Sequence, residues 1–196
     1  MEEGKCYFKN EKLRKIWGDR PLIIKENNLT IRYLQEQDKH LLVKWLSNPS
    51  VLKYYEGRDK PFNLEKVTRK FYNQDDGVNR YIVEYNVSAI GYIQFYRANN
   101  KIDVYIEREI IYGMDQFIGE TEYWNKGIGT LMVRSMVKYL VGKKQGDRVI
   151  MDPQVTNKRA LTCYEKCGFK KIRILPEHEF HEGTFRDCWL MEYRKA

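Results

Sequence analysis

The stretch that decides the fold is Trp124-Asn125-Lys126-Gly127-Ile128-Gly129-Thr130, where two glycines stand between a β-rich run and a helical pattern. Glycine tolerates left-handed backbone conformations, in which successive N–H groups can point into one concave nest. The N-terminus of the following helix adds its partial positive charge to such a nest. The turn therefore predicts a site for an anion such as a pyrophosphate, with Lys126 and Thr130 as helping side chains, although glycine turns of this kind also serve chain reversal alone.

The elements around the turn predict a mixed, mostly antiparallel α/β sheet flanked by helices. We expect helices over 37–46, 63–71, 130–140 and 157–167, the last one closed by Gly168, and a short helix over 11–17. We expect strands over 29–34, 79–85, 89–96, 109–118, 148–151, 170–175 and 188–193, with Asn86-Val87-Ser88 as a hairpin turn. The order around the glycines is strand, turn, helix, strand.

The length of 196 residues, with 42% hydrophobic and 14% aromatic residues, fits one globular domain. We divide the chain into an N-terminal extension, 1–27, and a folded domain, 28–196. Its apolar stretches are too short for a membrane span and its start lacks a secretory pattern, so we expect a soluble, cytoplasmic protein without a membrane partner. The four cysteines are irregularly spaced, and we expect free thiols.

The net charge of +8 invites an anionic partner, but the basic residues are scattered, so no nucleic acid is expected. The segment 103–123 differs from the rest of this basic chain because it carries six acidic residues against one arginine. We interpret this segment as an acidic patch.

A second motif lies about thirty residues after the turn, in Asn157-Lys-Arg-Ala-Leu-Thr-Cys-Tyr-Glu-Lys-Cys-Gly-Phe169. Together the two motifs resemble the cofactor motifs of the GNAT superfamily of N-acetyltransferases. The resemblance spans roughly residues 29–193 and implies the GNAT fold and acetyl-CoA as cosubstrate, with no metal. One departure is Trp124, since the family's turn usually opens with Gln or Arg. The expected cofactor-binding residues are Phe117, Ile118, Gly119, Trp124, Asn125, Lys126, Gly127, Ile128, Gly129, Thr130, Asn157, Ala160 and Tyr164.

Two further segments, Tyr112-Gly-Met-Asp-Gln-Phe-Ile-Gly119 and Met151-Asp-Pro153, resemble the aminoglycoside 6'-N-acetyltransferase branch of that family. The resemblance implies a polycationic aminoglycoside as acceptor, contacted by Asp115 and Asp152, and a role for Tyr164 towards the departing thiolate. We expect further acceptor contacts from the residues Tyr112, Tyr54, Tyr55 and Glu179.

The chemistry of amine acetylation is compatible with these roles. An alkyl ammonium with a pKa of about 10 must lose a proton before it attacks a thioester, and Asp115 is the candidate to accept it. Backbone N–H groups around 117–119 could stabilise the developing oxyanion, and Tyr164 could protonate the thiolate. The aspartates could instead cap turns, and Tyr164 could be a packing residue.

His178-Glu179-Phe180-His181 is one residue short of a zinc-protease motif, and we predict a polar loop at the acceptor rim rather than a metal site. Two other functions stay open. One is acetylation of a protein N-terminus or a siderophore amine, and the other is a non-catalytic module that binds acyl-CoA or nucleic acid. The chain is expected to be a monomer or a homodimer.

Overall fold

The structure is a computed structural model that describes residues 22–73, 75–98 and 109–195. The predicted helix over 11–17 lies outside these ranges, and so do Asp103 and Glu107 of the predicted acidic patch. No helix in the described ranges is long and apolar enough to cross a bilayer.

One mixed sheet of eight strands forms the centre of the described chain, in the order β1-β2-β3-β4-β5-β6-β8-β7. Neighbouring strands are antiparallel except for β5 and β6, which run parallel. This confirms the predicted mixed, mostly antiparallel fold class. The strands are β1 (Leu22–Glu26), β2 (Leu29–Tyr33), β3 (Asn79–Tyr85), β4 (Ser88–Arg97), β5 (Ile111–Ile118), β6 (Arg148–Met151), β7 (Lys170–His181) and β8 (Thr184–Arg194).

The first strand falls inside the segment 1–27 that we predicted as an extension. β1 pairs antiparallel with β2, and Ile24 is 9% exposed in the core. The folded sheet therefore begins several residues before the predicted boundary at residue 28.

The helices are α1 (Lys39–Trp45), α2 (Pro49–Leu52), α3 (Leu64–Val67), α4 (Ile128–Gly142) and α5 (Lys158–Lys166). A 3-10 turn, Glu36–Asp38, precedes α1, and a π-helical turn, Thr68–Tyr72, continues α3. Asn63 and Asn157 cap α3 and α5, since each side chain accepts the backbone N–H three residues ahead, while Gly168 ends the α5 segment at φ +92°. The short helix α2 was not predicted.

The hydrophobic core has two layers because successive residues of a strand face opposite sides of the sheet. Tyr81 and Val83 pack with α4 and α5 on one face, whereas Ile82 packs with the α1–α3 segment on the other. Helices therefore cover both faces of the sheet, and the site lies where the sheet opens between them.

Candidate active site

The sheet opens beside β5. The parallel pairing of β5 with β6 ends at Gly113↔Ile150, whereas β4 accompanies β5 as far as Ile118. Gly119 continues that ladder, since its N–H donates to the carbonyl of Ile90 at 2.8 Å. Peptide groups of an antiparallel strand point alternately to its two edges, so the N–H of Ile118 faces the open edge. One backbone donor thus points into the gap between β5 and β6.

A cavity of about 590 Å³ lies at this gap, and we refer to it as the turn cavity. Its walls are the end of β5, the glycine turn, α5 and two tyrosines that follow α2. The predicted cofactor residues that line it are Phe117, Ile118, Trp124, Asn125, Gly127, Gly129, Thr130, Asn157, Ala160 and Tyr164. Both sequence motifs therefore meet in one cavity.

The glycine turn has the geometry of an anion site. Asn125 and Gly127 adopt left-handed conformations, at φ +58° and +77°. Gly127 is the N-cap of α4, and among the described residues no side chain caps the start of that helix. A Cβ on Gly127 would meet nothing within 4 Å, so the backbone angle rather than crowding requires glycine here. The uncapped helix start leaves N–H donors for an anion in the cavity.

Three predicted cofactor residues do not line the turn cavity. The N–H of Gly119 is engaged with Ile90, and the space beside its Cα is filled by the indole of Trp45. Ile128 is 5% exposed and packs in the core, and the ammonium of Lys126 lies 5.9 Å from the centre of the Tyr123 ring. Lys126 and Ile128 therefore do not line the turn cavity, and Gly119 has a packing role.

Tyr164 stands where the turn cavity meets a second cavity, described next, and it lines both of them. Its hydroxyl oxygen accepts a hydrogen bond from the side-chain amide of Gln116, so its own proton stays available for another acceptor. Burial raises the pKa of Tyr164, which keeps the phenol protonated near neutral pH. Gln116, which the sequence analysis did not single out, thus positions a buried proton donor.

The second cavity, of about 450 Å³, is rich in carboxylates, and we refer to it as the acidic cavity. Its charged lining residues are Glu56, Asp115, Asp152 and Glu179, with Lys70 and His178 as the bases. Tyr54, Tyr55, Gln116, Asn157 and Tyr164 belong to the walls of both cavities. The two cavities therefore form one continuous site with an acidic half.

Asp115 lies at the floor of the acidic half. Its carboxylate accepts a hydrogen bond from the amide of Gln94 at 2.8 Å, and the hydroxyl of Tyr92 donates to the same amide's oxygen at 2.6 Å. Burial raises the pKa of Asp115 to about 6, with a further contribution from the charge of Asp152, while the Gln94 hydrogen bond acts in the opposite direction. Asp115 is therefore mostly ionised at neutral pH and more basic than an ordinary aspartate.

Asp152 and Glu179 both line the acidic cavity, and each already has a hydrogen-bonding partner there. Asp152 lies 2.8 Å from the ring nitrogen of His178, and this hydrogen bond raises the pKa of the imidazole. Glu179 contacts the ring of His181 at 3.1 Å and the amide of Gln154 at 3.1 Å. The histidine segment belongs to strand β7, so the predicted polar loop is wrong. Within the described ranges, no three His, Cys, Asp or Glu side chains are grouped to hold a metal ion.

The three tyrosines predicted to contact the acceptor differ in their position relative to the cavities. Tyr54 and Tyr55 stand between the two cavities, and Tyr55 packs edge-on against Phe117 with ring centres 4.7 Å apart. Tyr112 lies in the paired part of β5, opposite Val149, and its hydroxyl is 3.4 Å from the carbonyl of Lys144. Tyr112 lines neither cavity, so the geometry gives no support to its predicted contact with the acceptor.

The fold and the site together define a transferase that brings an anionic acyl carrier next to an amine. The chain belongs to the GNAT family: the family model described as "Acetyltransferase (GNAT) domain" matches residues 35–176. The chain is 30% identical over 151 residues to "Aminoglycoside N(6')-acetyltransferase type 1" of Klebsiella pneumoniae and to the same-named protein of Serratia marcescens. Each match covers 74% of this chain and 75% of the relative.

Solved structures agree with this assignment. Aminoglycoside acetyltransferase AAC(6')-Ib in complex with ribostamycin and coenzyme A has a TM-score of 0.71 at 27% identity, covering 86% of this chain and 94% of that one. Spermidine N-acetyltransferase from Vibrio cholerae, in complex with coenzyme A and spermine, has a TM-score of 0.71 at 22% identity, covering 86% and 96%. The second likeness shows the fold alone. The protein is an acetyl-CoA-dependent acetyltransferase, and the uncapped start of α4 and the open edge of β5 fit that cosubstrate.

Proposed function

We propose that the protein acetylates the 6'-amino group of aminoglycosides by direct attack within a ternary complex. The observation that carries the proposal is the continuity of the two cavities, because the carboxylate-lined half meets the cosubstrate half at Tyr164 and Gln116. A substrate in the acidic half would have its amine next to the thioester. No covalent intermediate on the protein is needed for such a transfer.

The charge of the acidic cavity favours a polycation. Four carboxylates line a space of about 450 Å³, which is the size of a site for a small molecule. Carboxylates in a cleft attract cations and disfavour neutral amines. A substrate with several ammonium groups can engage Asp152 and Glu179 while it presents one amine to Asp115.

Asp115 is proposed as the group that takes the proton of the attacking amine. An ammonium has a pKa of about 10, so a base whose pKa is raised towards neutrality accepts the proton more readily than an ordinary carboxylate. The hydrogen bond from Gln94 fixes the carboxylate on the acceptor side of β5. Proton transfer from the amine to Asp115, directly or through water, then accompanies attack on the thioester carbonyl.

Acetyl-CoA supplies an activated acetyl group and a thiolate leaving group. The N–H of Ile118, which faces the open edge of β5, is the backbone donor proposed to stabilise charge on the carbonyl oxygen. The Tyr164 phenol is proposed to give its proton to the thiolate, and the raised pKa of Tyr164 keeps that proton in place until it is needed.

The relatives support the choice of acceptor. The 30% identity to aminoglycoside N(6')-acetyltransferases extends over three quarters of both chains, and a homologous structure contains kanamycin together with coenzyme A. Antibiotic resistance and a cytoplasmic location follow from the proposal and are part of it.

The test is a thiol-release assay with purified protein, acetyl-CoA and a panel of amines. We expect turnover with kanamycin and ribostamycin, and mass spectrometry and NMR should locate the acetyl group on the 6'-amine. Spermidine, a peptide with a free N-terminus and a hydroxamate siderophore amine serve as competing acceptors. A higher kcat/KM for one of these than for every aminoglycoside would overturn the proposed substrate and leave the acetyltransferase chemistry intact.

A further inference from the structure

Arg159 is a cation in the turn cavity whose setting is electrostatically unfavourable. It lies in the first turn of α5, which carries Lys158 as well and no acidic residue. The N-terminus of a helix is positive, so cations there are destabilising unless an anion is close. Sequence alone gave this arginine no role.

No carboxylate of the described residues forms an ion pair with Arg159. The main contact of its guanidinium is the indole of Trp124, whose ring centre lies 3.8 Å from the central carbon of the guanidinium. Partial desolvation in this position lowers the pKa of Arg159. Arg159 lines the turn cavity and its side chain is exposed there, so its guanidinium N–H groups can donate to an anion that enters the cavity.

Trp124 is itself held in position. Its indole N–H donates to the carbonyl of Ile118 at 2.8 Å, so the ring is anchored to the end of β5. Arg159 stacks on the free part of that ring from the other side of the cavity. Stacking on an aromatic face restrains a guanidinium while it leaves the N–H groups at its edge free to donate.

We infer that Arg159, held by Trp124, donates to the pyrophosphate of acetyl-CoA and is a side-chain cation of the cosubstrate site. The start of α4 has backbone donors and an uncapped N-terminus, and Lys126, the charged residue of the turn itself, lies over Tyr123 instead. Arg159 supplies charge from the opposite wall, and the pyrophosphate lies between the two helix starts. This role concerns the donor and does not depend on which amine is the acceptor.

The test is calorimetry of CoA binding to the whole protein, which needs no acceptor. Arg159→Gln is expected to weaken CoA binding by about 10- to 100-fold, because charge-assisted hydrogen bonds to the phosphate are lost. Arg159→Lys keeps the charge but loses the flat stacking face, and it should recover part of the affinity. Arg134→Gln is the matched control, since its exposed guanidinium binds the Lys166 carbonyl at the far end of α5.

Dephospho-CoA identifies the phosphate concerned. The Arg159→Gln loss should be the same for CoA and dephospho-CoA, because both contain the pyrophosphate. A loss that disappears with dephospho-CoA would overturn the pyrophosphate assignment in favour of the 3'-phosphate. Unchanged CoA binding in Arg159→Gln, or an equal loss in Arg134→Gln, would overturn the role of Arg159 itself.

The role of Trp124 is tested by a double-mutant cycle. Trp124→Leu removes the stacking face, and in the Arg159→Gln background it should cost little further CoA affinity, because the two residues act as one unit. Additive losses would show that Trp124 does not position Arg159. Circular dichroism and thermal melts of each variant establish that it is folded before its affinity is compared.

Discussion

The turn cavity and the acidic cavity share Tyr164 and Gln116 but are built in opposite ways. Backbone groups and helix starts form much of the turn cavity, and its charge is positive. Four side-chain carboxylates from separate parts of the chain form the acidic cavity together with Lys70 and His178, and its charge is negative. Under the proposed function, the turn cavity holds the cosubstrate and the acidic cavity selects the acceptor.

The two cavities also differ in what they cost the stability of the fold. Backbone donors need no ionised group to be buried in the absence of ligand. The acidic cavity, in contrast, buries the ionised carboxylate of Asp115 even without ligand. The raised pKa of Asp115 reflects the free-energy cost of that burial. Mutations on the acidic side should therefore separate activity from stability more sharply than mutations on the turn side.

The largest effect is expected for Asp115→Asn, which should lower kcat/KM by about 10²- to 10⁴-fold through loss of the proton acceptor. The same change should stabilise the fold at neutral pH. The folded-state pKa of about 6 lies above the ordinary value of 3.8, so this group's contribution to stability falls as pH rises through that window and is fully lost above it. The full difference between the two pKa values corresponds to about 3 kcal/mol, and about half of it falls between pH 5 and pH 7.5, where chemical denaturation can measure it.

The pH profile supplies an independent check on Asp115. In the unmutated protein, kcat/KM should fall as pH drops below about 6, because protonated Asp115 cannot act as a base. Asp187→Asn removes a surface carboxylate outside both cavities and should keep the profile unchanged. A flat profile down to pH 5, together with substantial activity in Asp115→Asn, would remove Asp115 from the mechanism.

The next effect in size is expected for Tyr164→Phe, which should lower kcat by about 10- to 100-fold with little change in the KM for acetyl-CoA. The ring contact with Phe169, at 6.1 Å between centres, stays possible for phenylalanine. A variant with unchanged kcat would reduce Tyr164 to a packing residue. Single-turnover kinetics separates the chemical step from product release.

The turn cavity could be predicted from the sequence more completely than the acidic cavity. The turn and the Asn157 segment act through local spacing, so their glycines, the Asn157 cap and the flanking helices were predictable. Gly127 and Gly168 do adopt the left-handed angles that such positions require. Arg159 was not predicted as a site residue, because its stacking partner Trp124 lies 35 residues away in the chain and no local pattern joins the two.

The acidic half depends on pairing between distant residues, and prediction was weaker there. Gln94 reaches Asp115 because the two are register partners on β4 and β5. Tyr112 lines neither cavity because it lies three residues before Asp115, on the opposite face of the same strand, and within the paired segment. Strands β7 and β8 are longer than predicted, because their polar residues around the hairpin do not show the apolar alternation of a strand. Glu182-Gly183, at φ +50° and +78°, forms the two-residue turn between them.

A smaller effect is expected for Asp152→Asn, which should raise the KM for a polycationic acceptor by about tenfold at low salt and leave the KM for acetyl-CoA unchanged. The side chain of Asp152 is 42% exposed and already contacts His178, so its attraction for the acceptor is partly screened and shared. The gap between variant and unmutated protein should narrow as salt increases. A salt-independent gap would indicate a structural role for Asp152.

The smallest effect, of opposite sign, is expected for Lys70→Gln. Lys70 pairs with Glu56 inside the acidic cavity and so neutralises one of the four carboxylates that line it. Removing the ammonium should free Glu56 for the acceptor and lower the KM by a few-fold, more for acceptors with more amines. Lys66→Gln is the matched control for net charge, since Lys66 lies on α3, just before the π-helical turn of Lys70, and donates to the carbonyls of residues 60 and 61. An equal decrease in KM with Lys66→Gln would mean that overall charge, rather than the lining of the acidic cavity, determines acceptor affinity.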